Sequence, residues 1–139
     1  MGRINVGRVM LGGMLAGLVV NVSETILNVV VVASSMEAAL HERNLPPLGL
    51  QPIIGFVVQA FLLGIATVWL YAAIRPRFGA GPGTAVIAGV AVWFFAYLYS
   101  GVGTTLMSFL PAGLMTITLA WGLVEIVLGA LAGAWVYRE

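Results

Sequence analysis

Two glutamates stand where a carboxylate is costly. Glu24 and Glu125 each lie inside a long apolar run, and an ionised side chain in such a run costs about 2.5–3.5 kcal/mol on membrane-insertion scales. A carboxyl group so placed can hold and release a proton, pair with a cationic ligand, or donate a hydrogen bond between helices in its protonated form. No Arg or Lys shares either run. Each group must therefore be protonated, hydrogen-bonded, hydrated or matched by a positive ligand. On a helix turning about 100° per residue, Gly13, Gly17, Asn21, Glu24 and Asn28 fall within an arc of about 80°, and Ser35 continues it. Thr118, Gly122, Glu125, Gly129 and Gly133 form an arc of similar width. Each stripe pairs one Glu with small residues. Gly13/Gly17 and Gly129/Gly133 have the spacing that lets membrane helices approach closely.

The elements that must position these residues follow from composition. Of 139 residues, six are Arg and five Glu, with no Lys or Asp, so charged residues make up 8% against roughly 25% in soluble domains. Apolar residues reach 61%, and the mean hydropathy is +1.08. A soluble domain this small needs more polar cover than that, and disordered chains are polar. An integral membrane protein remains. Zero Cys excludes disulfides, thiolate metal sites and Cys nucleophiles, and a single His, His41, leaves no paired-His metal site. A net charge of +1 offers nothing to nucleic acid, and no cofactor or metal is expected. The residues point away from an enzyme.

Four stretches have the roughly 20 apolar residues that a 30 Å hydrocarbon core requires: Val9 to Val32, Pro52 to Ile74, Thr84 to Met107, and Ala112 to Tyr137. They predict an all-α polytopic four-helix bundle, one transmembrane domain over residues 1–139. Breakers separate the spans: NLPPLGLQP, RPRFGAGPG and FLPAG. Pro52 and Pro111 sit at or just before a first helical turn, where proline is tolerated. The segment SSMEAALHERN, rich in helix formers, predicts a short helix lying at the outer membrane surface between spans one and two. Arg3, Arg8, Arg75, Arg77 and Arg138 fall on one side and Arg43 alone on the other, which predicts cytoplasmic N- and C-termini. The first run is too long, and too polar within, for a signal-peptide core, and Val6 stands where myristoylation of Gly2 would want Ser or Thr.

If every polar stripe turns inward, span two contributes Gly55, Gln59, Ala66 and Ala73, and span three Gly89, Trp93, Ala96 and Ser100. At 1.5 Å per residue, Glu24 lies about 12 Å from the outer end, Gln59 and Ser100 about 10 Å, and Glu125 about 20 Å, with Tyr97 between the two levels. The expectation is a proton- or ligand-binding pocket in the outer half of the bundle, formed by Asn21, Glu24, Asn28, Gln59, Tyr97 and Ser100 with Glu125 as its floor. The plainer reading of the same amides and hydroxyls is interhelical hydrogen bonding worth about 0.6–2 kcal/mol. Trp69, Tyr71, Trp135 and Tyr137 read as interface anchors. Gly101-Val-Gly103 marks a possible break in span three.

The segments NVSETILN (Asn21 to Asn28), WLYAAIRPRFGAGPGTA (Trp69 to Ala85) and WGLVEI (Trp121 to Ile126) resemble an uncharacterised family of small bacterial four-span inner-membrane proteins. The resemblance covers nearly the whole chain and implies bacterial inner-membrane residence and the four-span layout. That family has no assigned activity to carry over. Small multidrug transporters also place a Glu in the first of four short helices, a likeness at the level of fold alone. Three functions compete. The first is proton-coupled transport or permeation of a small cationic or polar substrate, in which Glu24 exchanges the proton and a homo-oligomer encloses the path. The second is a non-catalytic accessory subunit or assembly factor that docks other membrane subunits through its glycine stripes. The third, weakest, is lipid or quinone chemistry with Glu24 and Tyr97 handling a proton. The lipid bilayer is the partner common to all three.

Overall fold

A computed structural model describes residues 4–138. Arg3, used above for orientation, and Gly2 lie outside the described residues. Helix α1 (Val6–Ile26) runs on into a π-helical turn (Leu27–Val31), followed by the short α2 (Ala33–Glu42). Helix α3 (Leu50–Phe78) is the second long element. The third is composite: α4 (Pro82–Trp93), a π turn (Phe94–Leu98) and α5 (Tyr99–Leu106). Helix α6 (Ala112–Val136) is the fourth. Four stretches, Val6–Val31, Leu50–Phe78, Pro82–Leu106 and Ala112–Val136, are long and apolar enough to cross a membrane. The chain is thus all-α, a bundle of four such helices with a short helix between the first two, and its outer faces meet lipid.

The elements begin where their sequence signals stand. Asn5 caps α1 by accepting from the Arg8 N–H at 3.1 Å. Pro82 opens α4 at the first turn, and Pro111 is the N-cap of α6. Helix α3 runs past the expected end at Ile74 to Phe78, carrying Arg75, Pro76 and Arg77 within its last turns. A proline there forfeits only one ladder bond. We call the end of the bundle that carries Asn5 and Tyr137 the terminal end, and the end that carries α2 the loop end. At the terminal end Tyr71 and Tyr137 meet edge to face at 5.9 Å, and the Arg75 guanidinium lies 5.5 Å above the Tyr137 ring. Both tyrosines are buried packing residues rather than lipid anchors, whereas Trp69 and Trp135 are exposed as anchors would be.

Helix α1 packs on α3 through Gly13 and Gly17, and on α6 through Gly12 and Ala16. Gly64 of α3 sits so close to Gly17 that a Cβ there would lie 2.3 Å from the Gly17 nitrogen. Only glycine permits that approach. The inward face of α3 is Ala60, Gly64, Thr67, Val68, Tyr71 and Ala72. The expected face, Gly55, Gln59, Ala66 and Ala73, is exposed. Lipid is as apolar as a helix interior, so hydropathy does not separate the two faces. The close fit with α1 decides.

The third span also departs from its expected face. Gly89 is buried and Trp93 half-buried as read, but Ala96 and Ser100 are exposed, while Tyr97 and Gly101 turn inward. The π turn over Phe94–Leu98 is the reason. It adds one residue to a turn and moves every later side chain by about 100°. The irregularity thus lies at residues 94–98, and the helix continues through Gly101 and Gly103.

Candidate carboxyl site

Helices α1 and α6 run antiparallel. Gly12 meets Gly133, and Ala16 meets Gly129. Side chains on a helix lean toward its own N-terminus. Glu24 on α1 therefore leans toward the terminal end and Glu125 on α6 toward the loop end, so two groups set about four residues, or 6 Å, apart in height converge. Both Ser23 and Glu24 lie against the Glu125 carboxyl.

Glu125 is 1% exposed. Its Oε1 accepts from the Tyr97 hydroxyl at 2.8 Å. Its Oε2 is buried without a hydrogen-bond partner among the described residues. A buried polar atom left so costs about 1–3 kcal/mol. Tyr97 reaches Glu125 because residue 122 is glycine: a Cβ there would lie 2.5 Å from Cδ1 of the tyrosine ring. The glycine in the Glu125 stripe is a notch across which the ring lies. The π turn, in turn, aims Tyr97 at that notch.

On α1, Asn28 Nδ2 donates to the Glu24 carboxylate Oε2 and to the Glu24 carbonyl, both at 2.8 Å. Asn28 lies in the first π turn, so both π turns flank the carboxyl pair. Trp121 Nε1 donates to the Ser23 hydroxyl oxygen at 2.8 Å, and Trp93 Nε1 donates to the Leu119 carbonyl at 2.9 Å. These indoles tie α1 and the third span to α6 just above the pair. Chemically, the arrangement is two carboxyls, a phenol, an amide and a hydroxyl in an apolar bundle. It has acceptor capacity to spare for a proton or a small cation.

Of the residues expected to form the pocket, Glu24, Asn28, Tyr97 and Glu125 are brought together. Asn21 instead bridges helices, donating to its own Gly17 carbonyl at 2.9 Å and to the Val57 carbonyl of α3 at 3.3 Å. Ser100 bonds back to the Ala96 and Tyr97 carbonyls of its own helix, and Gln59 stands on the exposed face of α3. Neither is carried to the carboxyl pair. Two surface grooves border α2 and are lined by none of Glu24, Tyr97 or Glu125. Sequence reasoning missed Ser23, Trp121 and the role of Gly122. Trp121 lies four residues before Glu125 and Ser23 beside Glu24, spacings that could have flagged both.

Comparison of the chain with protein-family models, with curated proteins and with solved structures finds no match.

Proposed function

We propose that the chain is a small transporter or permeation protein that exchanges protons for a small cationic or polar substrate at the Glu24–Glu125 pair. The observation that carries this reading is the Glu125 carboxyl: buried, opposite a second carboxyl, with Oε1 held by Tyr97 and Oε2 without a partner. Two carboxyls side by side in an apolar bundle form one place that a proton or a small cation can fill. A proton and a small cation compete for that place, and such competition is the elementary step of exchange. Four helices enclose little volume, which favours a homo-oligomer. Arg8, Arg75, Arg77 and Arg138 at the terminal end against Arg43 at the other favour cytoplasmic termini, and the resemblance to small bacterial four-span proteins favours a bacterial inner membrane.

Proteoliposomes loaded with a pH-sensitive dye and challenged with gradients of small inorganic and organic ammonium cations test the reading. Cation-driven proton movement is expected in the native chain and lost in Glu125→Gln and Glu24→Gln. Unchanged movement in both variants overturns the reading.

A second reading, an accessory subunit of a larger membrane complex, is favoured by the exposed face of α3. There Gly55 has open space where a Cβ would stand, and Gln59 shares that exposed face with Ala66 and Ala73. Small residues around an amide suit contact with another helix. Stoichiometric foreign subunits co-purifying in mild detergent would support it.

A further inference from the structure

We infer, resting on the exchange reading above, that the carboxyl pair is reached from the loop end only, with Glu24 as the entry group through which protons or small cations pass to Glu125.

The face of α1 that meets α3 is made by Gly13 and Gly17, which touch Ile65, Phe61 and Gly64, and by Asn21, which bonds the Val57 carbonyl. Helical spacing continues that face to Glu24 and Asn28. The cover does not continue: no residue of α3 from 50 to 59 is buried. Beyond Asn21, α1 therefore turns its carboxyl and amide toward a side that α3 leaves open. Exposure falls in order along the polar chain. Asn28 is exposed, Glu24 is half-buried, and Glu125 is 1% exposed. Asn28 holds the Glu24 carboxylate by its Oε2, and Glu24 leans toward Glu125 across the antiparallel α1–α6 contact. The unpartnered Oε2 of Glu125 ends the chain.

Toward the terminal end the way is closed. Val20 and Ile126 are at most 1% exposed and pack together with Ala60. Below them the Gly17–Gly64, Ala16–Gly129 and Gly12–Gly133 contacts bring backbones together. The buried polar side chains described on that side, Thr67 and Thr84, bond to carbonyls of their own neighbourhoods, Leu63 for the first and Gly79 for the second. Neither makes a polar step toward Glu125.

The native chain has no Cys, so single-Cys variants report accessibility without background. Ser34→Cys on α2 and Ala80→Cys in the turn after α3, both exposed, mark the two sides in right-side-out and inverted membrane vesicles treated with a membrane-impermeant thiol reagent. Asn28→Cys and Glu24→Cys should react in the vesicles where Ser34→Cys reacts and be spared where Ala80→Cys reacts. Val20→Cys should react at least about 100-fold slower in both, since a buried group reacts only through local opening. Reaction of Asn28→Cys alongside Ala80→Cys overturns the inference, and so does reaction in neither population, which would mean approach through lipid. Should Glu24→Cys fail to fold, Asn28→Cys, already exposed, decides the matter alone. Labelling needs no flux. Loss of the predicted pattern with proton movement intact removes only the one-sided entry, and the converse removes only the exchange reading.

Discussion

From the terminal end up to the level of Glu125 the helices meet backbone to backbone; beyond it they meet through side chains or not at all. In the first region Gly12, Gly13, Gly17, Gly64, Gly129 and Gly133 line the contacts, and all six buried residues of α3 lie between Ala60 and Ala72. In the second, α3 contributes no buried residue from 50 to 59, α5 buries only Gly101, and both π turns occur. Close approach of small residues maximises dispersion contact where no hydrophobic force drives membrane helices together. A half built this way is a rigid frame. The other half keeps a smaller side-chain core, Leu27, Val32 and Leu114 with Trp121 packed against it, and adds polar groups and irregular turns that aim them. The carboxyl pair sits at the boundary, where the frame fixes Glu125 and the looser half exposes Glu24.

This contrast can be broken most forcefully at Gly64. A side chain there has no room against the Gly17 backbone, so Gly64→Leu should cost about 3 kcal/mol or more, read as a collapse of the thermal transition in detergent. Gly55→Ala, where space is open, should instead be neutral or gain up to about 1 kcal/mol from helix propensity. Similar losses at both positions would erase the distinction between the halves.

Gly122→Ala comes next. The added methyl must displace the Tyr97 ring, with an expected cost of about 1–3 kcal/mol. In a Tyr97→Ala background that cost should vanish, and a double-mutant cycle measures it. A penalty that persists without the ring would mean that Gly122 serves helix packing rather than the site.

Smaller still is Asn21→Ala. It removes the amide bridge from α1 to the Val57 carbonyl and should cost about 0.6 kcal/mol, at most about 1.7. Chemical denaturation of the purified protein resolves a change of that size. Least of all, Ser100→Ala deletes only bonds within its own helix and should stay within about 0.5 kcal/mol. A larger loss at Ser100 would return it to the pocket first expected of it.

Much of the fold was legible. The four spans and the short helix after the first follow from run length, breakers and helix-forming composition, and Gly129/Gly133 make the close helix approach that their spacing suggests, against Ala16 and Gly12. The first span's Gly13/Gly17 pair, however, packs on α3 instead of α6, because α1 carries small residues on two adjacent faces. Within the site, Glu24, Asn28, Tyr97 and Glu125 were identifiable as polar groups in apolar runs, yet Ser100 and Gln59 looked equivalent and are not. A constant 100° step carries Ser100 inward; the π turn at residues 94–98 rotates it out and brings Tyr97 to Glu125.

The sequence by itself determined the class of protein, its four helices and the presence of two carboxyls with no cation in their spans, because hydrocarbon thickness and charge cost act on each segment independently of its neighbours. Only the tertiary structure decided which face of α3 turns inward, that Gly122 is a notch for Tyr97, and that one oxygen of Glu125 is satisfied while the other is not. In lipid both sides of a helix are apolar, so the inward face is chosen by the shape of the partner helix, and that information lies elsewhere in the chain.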